Sequence, residues 1–311
     1  MRIVQGLESY PPEARPAVVA LGVFDGLHLG HREILAAAVR RAREGGLVAV
    51  ACTFEPHPME VLQPGRAPAP IATLAERLDL ISATGVDTTV VLMFTRDLAA
   101  VEPEAFVKDV VLDRLRACEI VVGFNHTFGR GARGNARLLE ALATRLGFRV
   151  EVVPPRIVDG IPVSSSEIRE ALRLGDVERA ARYLGRPYAI GGTVEAGAGR
   201  GRTLGFPTAN VRPDRPLLIA TGVYGGGVEV AGGRHRAVVN VGVRPTFGEN
   251  RLVVEAHLLD FAGTLYDRPV RLAFLARLRE ERKFPDVEAL RRQISQDVEA
   301  ARKRLGEVNF T

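Results

Sequence analysis

The stretch Val18–Glu44, VVALGVFDGLHLGHREILAAAVRRARE, decides the fold of the first half of the chain. Val18–Leu21 is apolar throughout and β-branched at its start, the pattern of a strand buried on both faces. Arg32–Glu44 spaces its apolar residues as one face of a helix does. Between them Gly22–His31 is a glycine-punctuated loop. The alternation then repeats. Strands are predicted over Leu47–Phe54, Thr88–Phe94, Glu119–Gly123 and Phe148–Val153, and helices over Leu74–Ala83, Glu104–Leu115 and Ala136–Leu146. Thr73 with Glu76, and Ser164 with Glu167, have the spacing of capping boxes. Apolar strands alternating with helices predict an α/β, doubly wound parallel sheet covered on both faces. Such sheets bind ligands beyond the carboxyl ends of their strands, so the strand-to-helix loops are where chemistry is expected.

Outward from this core the chain changes character twice. Glu55–Pro70 holds five prolines and is too long and stiff for a plain connector, which suggests an active-site loop. A helical pair, Ser166–Leu174 and Val177–Leu184, is then broken by Gly185-Arg186-Pro187. Beyond it come short apolar runs, Tyr188–Val194, Val223–Val230, Ala237–Val241, Leu252–Leu258 and Val270–Leu278, separated by Gly, Pro and Asp clusters. No helical signal returns until Val287–Leu305. The pattern predicts an antiparallel β-barrel or compact sheet with a terminal helix. A chain of 311 residues exceeds what one core usually serves, so two domains are expected, 1–185 and 186–311.

Composition excludes several classes. Hydrophobic residues make up 46% and charged residues 25%, as in an ordinary folded protein. No apolar run approaches the ~18 uncharged residues of a membrane span. Two cysteines, Cys52 and Cys118, lie in apolar runs and read as core, which argues against a disulfide framework or zinc ribbon. The N-terminus MRIVQGLESYPPEARP has no apolar leader region, so a cytoplasmic protein is expected. The net charge of +5 invites a nucleic-acid reading. It divides unevenly, however. Residues 1–185 carry 22 basic and 23 acidic residues, and 186–311 carry 20 and 14. The basic residues are almost all Arg, with Lys only at 108, 283 and 303.

Three loops carry residue sets suited to phosphate. His28 and His31, flanked by Gly26 and Gly30, sit where a helix presents unpaired N–H groups. The same pair at that spacing would also suit a metal or two unrelated surface histidines. Ser164, Ser165 and Arg169 form a short Ser run with an Arg in the first turns of a helix, a second phosphate cradle or a mere cap. Gly197–Asn210 is dense in glycine and Arg without being a Walker loop. Its glycines can expose backbone N–H groups, and Thr208 and Asn210 offer hard oxygens suited to Mg²⁺, although a plain glycine hairpin has the same composition. Asn125, at the end of the fourth predicted strand, can fix a ligand through its amide or simply close a turn.

These motifs resemble two known families. GVFDGLHLGH at 22–31 resembles the HxGH signature of nucleotidyltransferases, and SSSEIR at 164–169 resembles their second signature. FEPHP at 54–58 and GFNHTFG at 123–129 are similar to segments of bacterial flavin adenylyltransferases, with His126 at a position usually aromatic. GRTLGFPTAN at 201–210 resembles the signature of riboflavin kinases, supported by Gly222-Val223-Tyr224, Asn240-Val241-Gly242, Arg244-Pro245-Thr246-Phe247 and EAHLLDF at 255–261. Together they cover nearly the whole chain and resemble the prokaryotic bifunctional riboflavin kinase/FAD synthetase family.

The resemblance implies a nucleotidyltransferase (Rossmann-like) domain followed by a kinase barrel. It implies a cytoplasmic, ATP-dependent enzyme that converts riboflavin to FMN and FMN to FAD, with Mg²⁺ as cofactor. Its partners would be riboflavin, FMN, FAD and ATP, with no nucleic acid and no membrane. Nucleotide-binding residues would be Gly22, Phe24, Asp25, Gly26, His28, Gly30, His31, Asn125, Ser164, Ser165 and Arg169 in the first domain. In the second they would be Gly201, Arg202, Thr208 and Asn210. Thr208 and Asn210 would hold the metal, Glu255 would be the base, and His28 and His31 would be catalytic. Pro56, His57, Phe128, Arg282 and Phe284 would lie at the flavin. Two rivals stand beside this reading. One is an adenylyltransferase whose barrel only senses flavin, against which Thr208, Asn210 and Glu255 speak. The other is an RNA-binding barrel, disfavoured by 6% aromatic content and the absence of Trp.

Overall fold

In a computed structural model the chain is described over residues 1–12, 14–197, 200–230, 233–246 and 249–306. Ala198, Gly199 and Phe247, and the side chains of Arg200 and Arg244–Thr246, lie outside the described residues. The chain forms two compact units, Met1–Ser164 and Ser165–Thr311.

In the first unit the order is β1 (Arg2–Gln5), β2 (Ala17–Leu21), α1 (Leu29–Gly45), β3 (Val48–Glu55), α2 (Pro58–Leu62), α3 (Leu74–Ser82), β4 (Thr88–Met93), α4 (Arg96–Ala100), α5 (Pro103–Ala105), β5 (Ala117–Gly123), β6 (Thr127–Phe128), β7 (Gly134–Asn135), α6 (Ala136–Leu146), β8 (Arg149–Val153), β9 (Ile157–Val158) and β10 (Ile161–Pro162). Six strands form one parallel sheet in the order β1-β4-β3-β2-β5-β8. Successive residues of each central strand feed opposite faces. Val18, Ala20, Ala49 and Ala51 join a core with Leu35, Ala38 and Ala42 of α1 and Ile81 of α3. Val19, Leu21, Val50 and Cys52 join another with Phe106, Val111, Leu139 and Leu142. This is the expected doubly wound architecture, and the period-2 alternation of strand side chains is its cause.

Several details differ from the sequence expectation. β1 carries only one buried residue, so no apolar pattern announced this edge strand. The predicted helix at 104–115 is π-helical over Phe106–Arg114, and Leu115 N donates to Val110 O at 3.0 Å, five residues back. The proline-rich loop contains α2. Cys118 is half-buried rather than core, and its thiol donates to Ala17 O at 3.4 Å. The Thr73–Glu76 capping box is formed in both directions, at 3.1 and 2.7 Å.

The second unit runs α7 (Ser165–Arg173), α8 (Val177–Leu184), β11 (Tyr188–Glu195), α9 (Arg200–Thr203), β12 (Ala209–Pro213), β13 (Gly222–Val230), β14 (Gly233–Thr246), β15 (Glu249–Leu258), β16 (Pro269–Arg279) and α10 (Val287–Leu305). Its strands close into a barrel in the order β11-β12-β15-β14-β13-β16. Closing removes both sheet edges, which an open sheet of this length would leave exposed. Ala301 and Leu305 of α10 pack on Val223, Val238 and Leu259. The single turn α9 lies inside the glycine-rich motif and β12 begins at its end, so neither had a signal of its own. The compact units divide at Ser164/Ser165, ahead of the change in sequence character at 185/186. The helical pair belongs physically with the barrel: α8 packs on β16 and β11, and Ala220 N donates to Leu172 O at 3.0 Å.

Candidate active sites

The strand order reverses at β2, which has β3 on one side and β5 on the other. Open α/β sheets bind ligands at such a switch point. The loop Gly22–His28 rises from it in left-handed turns, with φ of 55° at Phe24, 72° at Gly26 and 37° at Leu27. A Cβ on Gly26 would stand 2.7 Å from Ile71 Cγ2, so glycine is required there for both backbone and space. Phe24 is fully buried and meets the His31 ring edge-on at 5.4 Å.

The two histidines lie side by side. Their rings stack with centroids 3.6 Å apart, and His28 Nδ1 accepts from the His31 N–H at 3.3 Å. A ring nitrogen that accepts carries no proton, so a neutral His28 with this bond carries its proton on Nε2. Burial, reinforced by the neighbouring His28, holds the His31 imidazole well below its usual range. His31 Nδ1 is buried with no partner. Two imidazoles at the start of a 17-residue helix, that of His31 with an unused ring nitrogen, suit an anion.

Other predicted residues meet this loop. A Cβ on Gly30 would lie 4.0 Å from Val163 O, so the chain just before Ser164 returns to the start of α1. A Cβ on Gly123, at the end of β5, would lie 3.1 Å from Ile34 Cδ1 of α1, with Asn125 Oδ1 at 3.6 Å. Asn125 is exposed in that turn. Asp25 is 4% exposed, and its carboxylate accepts from Ile71 N at 3.0 Å and Ala72 N at 3.1 Å. It therefore ties the loop to the end of the proline-rich segment. His57 caps α2, its Nδ1 accepting from Met59 N at 3.1 Å, and Pro56 follows a cis peptide. Phe128 lies in the core against Phe106 rather than on an open surface, whereas Phe124 in the same turn is 46% exposed. Burial draws His126 down to about 4. Ser165 and Arg169 open α7, in the second unit.

Sequence reading missed the support beneath the loop. Val23 O accepts from Thr53 Oγ1 at 2.9 Å and from Arg77 Nη1 at 3.0 Å, and Arg77 also pairs with Glu55. A signal existed: Arg77 occupies the stripe 74, 77, 78, 81 of α3, where an apolar residue is expected.

In the barrel, register assembles the second site. Asn210 of β12 and Asn240 of β14 both pair with Glu255 of β15, so three polar side chains share one face of three adjacent strands. The glycine-rich loop closes on them. A Cβ on Gly197 would stand 2.0 Å from Asn210 Nδ2, and one on Gly201 would stand 2.4 Å from Phe206 O and 3.0 Å from Thr208 Oγ1. Thr208 and Asn210 thus lie under close backbone, and their oxygens fit Mg²⁺, a cation that prefers hard ligands. Asn240 entered the sequence reading only as part of a motif. Glu281, which the sequence reading gave no role, would lie 2.6 Å from a Cβ on Gly242, which places the segment after β16 near the same end. In that segment Arg282 stacks on Phe284 at 5.1 Å. Arg202 is exposed on α9.

Comparison with known proteins finds two family domains in order along the chain. A family model described as FAD synthetase matches residues 10–167, and one described as riboflavin kinase matches 184–305. A Pseudomonas fluorescens bifunctional riboflavin kinase/FMN adenylyltransferase is 41% identical over 97% of both chains. The Bacillus subtilis protein of the same description is 36% identical over 93% of this chain and 92% of its own. A solved Streptococcus pneumoniae protein, described as a macrolide-efflux protein, superposes with a TM-score of 0.90 at 32% identity, covering 97% of this chain and 99% of that one. With both domain models in order and relatives aligned end to end, the chain belongs to the bifunctional riboflavin kinase/FMN adenylyltransferase family.

Proposed function

We propose that the chain runs the two reactions of its family at two separate sites, the FMN adenylyltransferase in residues 1–185 and the riboflavin kinase in 186–311. The enzyme phosphorylates riboflavin with ATP to FMN and adenylylates FMN with ATP to FAD, releasing pyrophosphate. The observation that carries the partition is the cross-strand row Asn210–Glu255–Asn240, assembled wholly by the barrel.

In the kinase reaction a primary hydroxyl of riboflavin is a poor nucleophile until its proton is accepted. Glu255, fixed on a strand, is the acceptor. Mg²⁺, when bound, neutralises phosphate charge, and Thr208 and Asn210 are the residues that would hold it. Gly201 lets backbone approach the phosphates, with Arg202 beside it. Arg282 and Phe284 form a cation–aromatic pair suited to the edge of the flavin.

In the adenylyl transfer an FMN phosphate oxygen attacks the α-phosphorus of ATP and pyrophosphate leaves. The nucleophile is already ionised, so no strong base is needed. His28 Nε2–H and the His31 ring donate to the phosphate oxygens as charge builds. Gly22, Phe24, Asp25, Gly26 and Gly30 shape the loop that brings them there, and Asn125 and Ser164 add polar groups. Ser165 and Arg169 enter this reading from the sequence alone. Pro56 and His57 lie on the flavin side, with Phe128 supporting the turn from the core. This reading places the enzyme in the cytoplasm with small phosphorylated partners, and assigns no role to nucleic acid or membrane. Among the described residues no helix is long and apolar enough to cross a membrane.

Separable half-reactions test the partition. Glu255→Gln is expected to lose FMN formation by about 10²–10⁴-fold while converting supplied FMN to FAD normally. His31→Ala is expected to form FMN normally and to lose FAD formation by roughly 10²–10³-fold. Product chromatography from riboflavin, ATP and Mg²⁺, and separately from FMN, reads both. Loss of both steps in each variant, from either starting flavin, would overturn the partition.

A further inference from the structure

We infer that Arg77 is a positioning residue for adenylyl transfer, acting through the Val23 carbonyl and the Glu55 carboxylate to hold two ligand loops in one geometry. This inference rests on the assignment of that reaction to the first unit. Arg77 lies on the buried face of α3 and is 4% exposed. One guanidinium nitrogen donates to Val23 O at 3.0 Å, within the phosphate-type loop Gly22–His31. Another pairs with Glu55, the last residue of β3 and the second of the flavin-side FEPHP segment. One side chain from a third element therefore joins the loops following β2 and β3. The far end of the proline-rich segment that begins there is joined to the phosphate-type loop again, by Asp25 accepting from Ile71 N and Ala72 N.

Stability alone does not account for an arginine here. Its Nε–H is buried without a partner, which costs free energy. Buried ion pairs contribute little net stability compared with apolar residues of similar volume. Without Arg77, Val23 O would still accept from Thr53 Oγ1, and Glu55 would keep its partly exposed carboxylate in contact with water. The chain keeps a charged group whose gain is the fixed orientation of the Val23 peptide. That peptide immediately precedes the left-handed turn through Phe24, Gly26 and Leu27 that leads to His28. Small displacements of reacting groups cost large factors in rate, so its placement matters to the reaction more than to folding.

The test uses the full-length bifunctional chain, whose kinase reaction serves as an internal control. Arg77→Met is expected to lower kcat for FMN to FAD by about 10- to 100-fold. KM for ATP should change much less, FMN formation should stay within about twofold, and Tm should remain near that of the parent. Arg77→Lys should recover part of kcat. Glu55→Gln, which alters a partly exposed carboxylate and leaves the Val23 bond in place, should lower the same kcat by a smaller factor. Combining it with Arg77→Met should add little. Unchanged adenylylation in Arg77→Met, or a loss matched by a fall in Tm, would overturn the inference. If Arg77→Met does not fold, normal adenylylation in Glu55→Gln would overturn it. Loss of kinase activity in Glu255→Gln with adenylylation intact, seen alongside a silent Arg77→Met, would reject the positioning role while sparing the partition.

Discussion

His126 shows how one residue ties a loop to pH. Its imidazole stacks on Phe128 at 5.8 Å, and its Nε2 is buried without a partner. Burial draws it from the usual 6.5 down to about 4. Between those values the unfolded chain takes up a proton that the folded chain refuses, so stability is full above pH 6.5 and falls towards pH 4. The loss is no more than about 3 kcal/mol, and the residue's partial exposure reduces it. His126→Phe, restoring the aromatic type usual at this position, should flatten the stability difference between pH 7 and pH 4 measured by urea unfolding. His31, also held low by burial and by His28, contributes in the same direction and remains in that variant.

At the scale of elements the two sites are built by different means. The first depends on a helix start: α1 supplies the dipole, and His28, its cap, is the donor towards the ligand in the proposed reaction. The second depends on strand register. A one-residue slip of β15 against β12 would turn Glu255 to the other face of the sheet, away from Asn210. The glycine-rich segment matters because it lies so close to those strands. Gly201→Ala would set a methyl 2.4 Å from the Phe206 carbonyl, a backbone clash that no rotamer relieves. It should depress FMN formation strongly and leave FMN-to-FAD conversion intact, as read by product chromatography.

For the whole molecule, the change in sequence character and the packing place the boundary differently. The sequence turns from helical to β at 185/186, yet α7 and α8 fold into one compact unit with the barrel. Arg277 on β16 donates to Leu174 O at 3.0 Å and Thr221 O at 3.1 Å, and its backbone N–H reaches Glu178 at 3.3 Å. Tyr183 and Leu184 of α8 are fully buried. A chain trimmed to 186–311 should therefore be less stable than one trimmed to 165–311. The deficit should be several kcal/mol, at roughly 1.5–3 kcal/mol for each large side chain lost, measured by thermal unfolding of both. The charge separation also takes on meaning at this scale. The slight acidic excess lies in residues 1–185 and the basic excess in 186–311, where several arginines are held by carboxylates. Arg212 pairs with Glu195, Arg279 with Asp297 and Arg302 with Asp260.

The sequence by itself determined the parallel sheet, the barrel and the family. Those properties are written in local periodicity and in contiguous motifs such as Gly22–His31 and Gly201–Asn210. It placed α10 to the residue and the Thr73–Glu76 cap to the atom, because helix spacing and capping are local. Edge strand β1 and strand β12 escaped it, since pairing partners rather than their own residues make them what they are. Only the tertiary structure decided that Asn240 stands beside Glu255, that Phe128 belongs to the core, and that Arg77 reaches under the Val23 carbonyl. Residues 54 apart in sequence share a hydrogen bond only when a folded chain brings α3 beneath the loop after β2, and no periodicity encodes that meeting.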